Sequence, residues 1–151
     1  MKNIFLLFIV ALIIESCDKK TQKQIDAFVD KESLTLTISD SDLILIRPKK
    51  PNQTESTRED SCFDLALYKA EKHQILEFKK LFENSNYTEY CCCPETNMAI
   101  NFYENSKKIS TYFVDTIEFK NEVRIFEQSY QYSFLIKKQE WKDYLKKINA
   151  E

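Results

Sequence analysis

The 151-residue chain contains no glycine. At the usual share of about 7%, a chain this long would hold about ten. Several site classes need a residue without Cβ at positive φ or pressed against phosphate. The phosphate-binding loop, the dinucleotide fingerprint, the nucleophile elbow and the EF-hand loop are therefore excluded. Tight turns must use Asn, Asp and Ser, as in SDSD (39–42), ENSN (83–86) and YENSKK (103–108).

Histidine is nearly absent as well: His73 stands alone. This excludes the HExxH zinc site and any triple-histidine metal site, and leaves one candidate base for a serine or cysteine nucleophile. Ile75, Phe78, Leu81 and Phe82 recur at helical spacing, which places His73 on the opposite, solvent side. Two of the three prolines fall in RPKKPNQTESTRED (47–60), the one long loop. The formal net charge of −2 gives no reason to expect a nucleic-acid partner.

Long apolar runs are also missing, except at the start. MKNIFLLFIVALIIESC has a short basic beginning at Lys2 and an apolar run from Ile4 to Ile14. That run is about half the ~20 residues of a membrane span, and it reads as the hydrophobic region of an export signal. Cys17 follows at once. Here the sequence resembles the signal of bacterial lipoproteins, in which a small residue precedes a cysteine that is acylated and becomes the mature N-terminus. Ile14 and Ser16 match the lipobox, while Glu15 stands where a small or apolar residue is usual. The resemblance covers the first 17 residues and implies lipid on Cys17, a chain anchored to a membrane, and a place in the bacterial cell envelope, at the outer membrane or cell surface or facing the periplasm.

The division expected is a signal peptide at 1–16, a lipidated N-terminus and polar tether at 17–32, and one domain at 33–151. With 43% hydrophobic and 13% aromatic residues, there is ample material for a core. SLTLTIS (33–39) alternates and predicts a half-buried strand, paired through SDSD with LILIR (43–47). FDLALY (63–68) predicts another strand, and Ala70 to about Asn84 a helix. MAINFY (98–103), ISTYFVD (109–115), a piece within IEFKNEVRIF (117–126) and YQYSFLIK (130–137) predict successive antiparallel strands. In QEWKDYLKKINA, Trp141, Tyr144, Leu145 and Ile148 form the apolar stripe of a closing helix. The fold class expected is α+β: an antiparallel sheet of five to seven strands with a central and a C-terminal amphipathic helix on one face.

Four cysteines remain besides Cys17: Cys62, Cys91, Cys92 and Cys93. In an exported protein an even number suggests disulfide bonding. Every complete pairing leaves two cysteines adjacent or one residue apart, a strained ring. The reading preferred is one ordinary bridge from Cys62 to the triplet, plus two thiols or one strained bridge. A zinc site built from Cys62, two of the triplet and His73 conflicts with the usual spacing of two to four residues, so no metal or other cofactor is expected. A redox role needs a nearby cation, and the sequence places Glu89 and Glu95 there instead.

Two surface features also stand out. Lys137, Lys138, Lys142, Lys146 and Lys147 offer charge to anionic headgroups or simply a solvated helix face. Tyr87, Tyr90 and Tyr103 suggest a binding patch or cross-strand pairs. The function expected is a lipid-anchored envelope protein that binds a protein partner or ligand without catalysis. The alternative is a redox-active or metal-binding protein using Cys91 to Cys93.

Overall fold

Leu34 and Ile38 lie four residues apart, and in the computed structural model that spacing overrides the alternation around them. The structure describes residues 19–51, 60–65, 67–88, 94–129 and 133–149. Its first element is helix α1 (Lys19–Asp40), which runs through both the segment expected as a tether and the segment expected as a strand. Leu34 and Ile38 are buried at 1% exposure each, whereas Leu36, which alternation would put beside them, is 58% exposed. The hydroxyls that favour a strand are satisfied inside the helix: Ser39 Oγ donates to the Thr35 carbonyl at 2.8 Å and Ser41 Oγ to the Thr37 carbonyl at 2.6 Å. The expected strand at 33–39 and its hairpin with LILIR are thus corrected to the end of α1.

Strand β1 (Leu43–Pro48) follows as expected. FDLALY does not form one strand. Phe63 makes an isolated bridge to Lys49, and the pairing strand β2 (Tyr68–Glu71) begins where that segment ends. Leu65 is 90% exposed, so its alternation with Phe63 marks no buried face. Helix α2 is shorter than its apolar period suggested, spanning Lys72–Lys80. Ala70 belongs to β2, opposite Ile44, and Glu71 is the N-cap, its backbone N–H donating to Gln74 Oε1 at 2.9 Å. Leu81 and Phe82 lie in the turn just beyond, still buried.

The remaining elements are β3 (Asn86–Thr88), β4 (Met98–Glu104), β5 (Lys107–Asp115), β6 (Glu122–Glu127), β7 (Ser133–Lys137) and α3 (Lys138–Asn149). Sequence patterning does not announce β3, a three-residue edge strand. The sheet is antiparallel in order β2-β1-β4-β5-β6-β7-β3. The fold is therefore α+β, with an antiparallel sheet of seven strands and a closing helix. Of the expected strand at 130–137, residues 130–132 lie outside the described residues.

One face of the sheet carries the main core. Ile44, Ile46, Ile100, Phe102, Val114, Ile125, Phe134 and Ile136 meet Leu34 and Ile38 of α1, Ile75 and Phe78 of α2, and Trp141, Tyr144 and Ile148 of α3. Phe78 ties the layers together, with ring centroids 5.9 Å from Phe102 and 5.4 Å from Tyr144. Between β4 and β5 the chain turns through Asn105 and Ser106 at φ 49° and 65°. Most hairpins put glycine there. Here the Asp42 carboxylate steadies the turn by accepting from the Asn105 N–H at 2.7 Å.

Candidate functional site

The other face of the sheet presents Ala99, Asn101, Phe113, Asp115, Arg124, Phe126 and Ser133, because each strand alternates and the register aligns them. Two features stand on it. One is a buried polar cluster on β6, and the other is the small apolar group that holds Cys62.

Arg124, 6% exposed, is the centre of the first. Its Nε and Nη2 donate to the two oxygens of Glu118 at 2.8 and 2.9 Å, and its Nη1 donates to Thr88 Oγ1 at 3.0 Å and Ser133 Oγ at 2.7 Å. The Thr88 and Ser133 hydroxyls also hydrogen-bond each other. Glu118 is set in place by Asp115, whose Oδ1 accepts the backbone N–H groups of Ile117 and Glu118 at 2.7 and 3.0 Å. The Phe119 ring lies 5.1 Å from the guanidinium carbon. One side chain thus joins the β5–β6 bend, β6, β7 and the edge strand β3. With its charge matched by Glu118, the cluster does structural work. The sequence signal was a lone arginine inside the apolar run EVRIF, beside which alternation would place Asp115 and Ser133.

Cys62 ends a 3-10 turn (Asp60–Cys62) and is 4% exposed, packed with Phe63, Ala99, Phe113 and Phe126. Arg47 fixes that turn from β1. It donates to the Asp64 and Phe63 carbonyls at 2.7 and 3.1 Å and to Asp60 Oδ1 at 2.7 Å. Partial burial raises the Asp60 carboxyl pKa, but the charges of Arg47 and then Lys108 outweigh it, and the net effect is below the usual carboxylate value.

Cys17, Cys91, Cys92 and Cys93 lie outside the described residues, as does Tyr90. The flanks of the triplet are described, and they leave the sheet at different places. On one side Thr88 bonds Ser133, whose cross-strand partner is Phe126 in the Cys62 group. On the other, the Asn97 carbonyl accepts from the Lys49 N–H at 2.9 Å, and the next residue, Lys50, donates its N–H to the Cys62 carbonyl at 2.9 Å.

Helix α1 carries exposed apolar residues that the sequence did not announce. Ile25, Phe28 and Val29 are 49%, 67% and 55% exposed, within a stretch read from composition as tether. Their i, i+3, i+4 spacing was the signal. Asp30, 3% exposed, ties the helix to the domain: its Oδ2 accepts the Tyr87 hydroxyl at 2.6 Å.

The other sequence candidates are largely engaged in the fold. His73 is exposed on α2. Tyr87 is half-buried against Phe134, and Tyr103 is half-buried in β4. Lys137 pairs with Glu140 at 2.9 Å, Lys147 with Glu77 at 3.0 Å, and Lys138 donates to the Phe119 carbonyl at 3.2 Å. A cleft of about 440 Å³ between α2 and α3 has Glu77, Lys80, Glu83, Glu140, Asp143 and Lys147 at its rim. Burial, and then the Glu77 charge, push the Tyr144 phenol at its base well above the usual value. Among the described residues no three His, Cys, Asp or Glu side chains gather as metal ligands, and no helix is long and apolar enough to cross a membrane. The chain matches no family model, no curated protein and no solved structure.

Proposed function

We propose that this is a lipid-anchored protein of the bacterial cell envelope whose domain binds a protein partner or ligand without catalysing a reaction. The observation that supports the anchor is the place of Cys17 in the sequence, just after the apolar run Ile4 to Ile14. Helix α1 starts at Lys19, two residues after the lipobox cysteine Cys17, and then packs into the core through Leu34 and Ile38. Lipid on Cys17 would thus attach almost directly to a helix of the domain. Multiple acyl chains hold a bilayer far more firmly than one.

Chemistry has no described constellation to act through. The buried arginine is matched by Glu118, and the lone histidine is exposed on α2. The cysteines serve as a staple in this account, with Cys62 bridged to one member of the triplet. The Asn97 flank supports that: its carbonyl accepts from Lys49, next to the Lys50 that bonds the Cys62 carbonyl.

Expression of the full chain in a bacterial host tests the reading. The wild type should fractionate with membranes and be released by detergent, and Cys17→Ser should move it to the soluble fraction. A reproducible turnover abolished by one side-chain change would defeat the non-catalytic part, and soluble wild type would defeat the anchor.

A further inference from the structure

The first half of α1 projects from the domain. Thr21, Gln24, Ile25, Asp26, Phe28 and Val29 are exposed and Ala27 is half-buried, so nothing described in the chain covers Ile25, Phe28 and Val29. These three share one line of the helix, on which the exposed Glu32 ends the apolar run before Leu36. The line that meets the core, Asp30, Leu34 and Ile38, lies on the opposite side. A single helix therefore carries apolar residues on two faces, and only one face is used by the fold.

The covalent chain indicates what covers the other. Two residues of fully extended chain span at most about 7 Å. Lipid on Cys17 would hold the first turn of α1 within that distance of the headgroups, and Val29 is only about 15 Å further along the axis. A second copy of the chain is the weaker occupant, because three partly exposed side chains fall well short of the roughly 800 Å² per partner of a stable interface.

We infer that the projecting part of α1 lies in the headgroup region of the membrane that holds the Cys17 lipid, with Ile25, Phe28 and Val29 set into the acyl boundary. The inference rests on the proposed lipidation of Cys17. It makes the domain a docked body with a fixed orientation, and the apolar residues of α1 reinforce the lipid.

Phe28→Trp gives a direct test, because the native Trp141 is 2% exposed in the core and serves as the internal reference. The full chain carrying this change is reconstituted in phosphatidylethanolamine and phosphatidylglycerol vesicles with and without brominated acyl chains. The emission added by Phe28→Trp should shift to the blue and fall at least about twofold with brominated lipid, as expected for a side chain 5–10 Å into the boundary. Emission of the unchanged chain should not respond. Unquenched emission from vesicle-bound protein would overturn the inference and leave the anchor intact. A blue shift that needs no lipid and grows with protein concentration would assign the stripe to a second copy and overturn it too.

A second arm separates the two readings. Residues 18–151, which retain all of the described core, are held on chelating-lipid vesicles through an N-terminal histidine tag. Quenching there supports insertion of the stripe even if the full chain proves to carry no lipid. Absence of quenching there rejects it as well. Ile25→Ser/Phe28→Ser/Val29→Ser should abolish quenching at an adjacent reporter, Gln24→Trp, with the melting temperature unchanged.

Discussion

Arg124 and Glu118 meet fork to fork, with parallel hydrogen bonds of 2.8 and 2.9 Å, and the remaining donors of the guanidinium reach Thr88 and Ser133. The pair holds the edge strand β3 and the β5–β6 bend to the same point of the sheet. Because the arginine is buried and the carboxylate partly exposed, the geometry matters more than the charge alone. Arg124→Lys keeps the charge but loses the fork. It should cost about 2–3 kcal/mol in urea unfolding, with Glu118→Gln costing less. An unchanged stability for Arg124→Lys would show that the cluster merely fills space.

The glycine-free hairpin gives a prediction of opposite sign. Ser106 holds φ 65°, a conformation that disfavours a residue with Cβ. Ser106→Gly should stabilise the domain by about 0.5–1 kcal/mol in the same assay. Asn105→Gly, at φ 49° but in a residue type that tolerates this region, should change it less.

Tyr144 has a pH signature. Its hydroxyl is buried without a hydrogen-bond partner, and burial followed by the Glu77 charge raises its pKa above the ordinary 10.0. The folded state therefore keeps this proton at pH values where the unfolded chain has lost it. That contribution is complete below about pH 10 and diminishes as the pH rises further. Thermal melts of Tyr144→Phe should show a shallower alkaline loss than wild type, with equal or slightly higher stability at neutral pH. Parallel alkaline profiles would refute the assignment.

The cysteines give a prediction that separates staple from chemistry. A bridge from Cys62 to the triplet closes a loop of about 30 residues, worth around 3–4 kcal/mol through loop-closure entropy. Cys62→Ser should lower stability by that amount and make it insensitive to reductant. One of Cys91→Ser, Cys92→Ser and Cys93→Ser should do the same. If instead a triplet change abolished a redox or metal-binding activity in a domain of unchanged stability, the alternative function would stand.

How far the sequence was legible depended on which period dominated each segment. The meander β4 to β7 and helix α3 read cleanly, because Trp141, Tyr144, Leu145 and Ile148 fit only a helix and MAINFY is a short apolar run with turn residues on either side. SLTLTIS failed because Leu34 and Ile38 satisfy spacings of both two and four, and the helix already running from Lys19 decides between them. FDLALY failed because alternation records pattern and not burial, and Leu65 faces solvent. Edge strand β3 is held by pairing with β7 and by the contacts of Thr88 and Tyr87, none of which is local in sequence. The apolar stripe of α1 was present in the letters, but the surrounding charge and the absence of a long run concealed it.

The most direct test of the lipid-anchored account is the intact mass of the full chain recovered from the membrane fraction of a bacterial host. The account predicts a chain that begins at Cys17, carries the mass of the attached acyl groups, and has no reactive thiol at that position. A chain starting anywhere else, with Cys17 unmodified, would contradict the anchor.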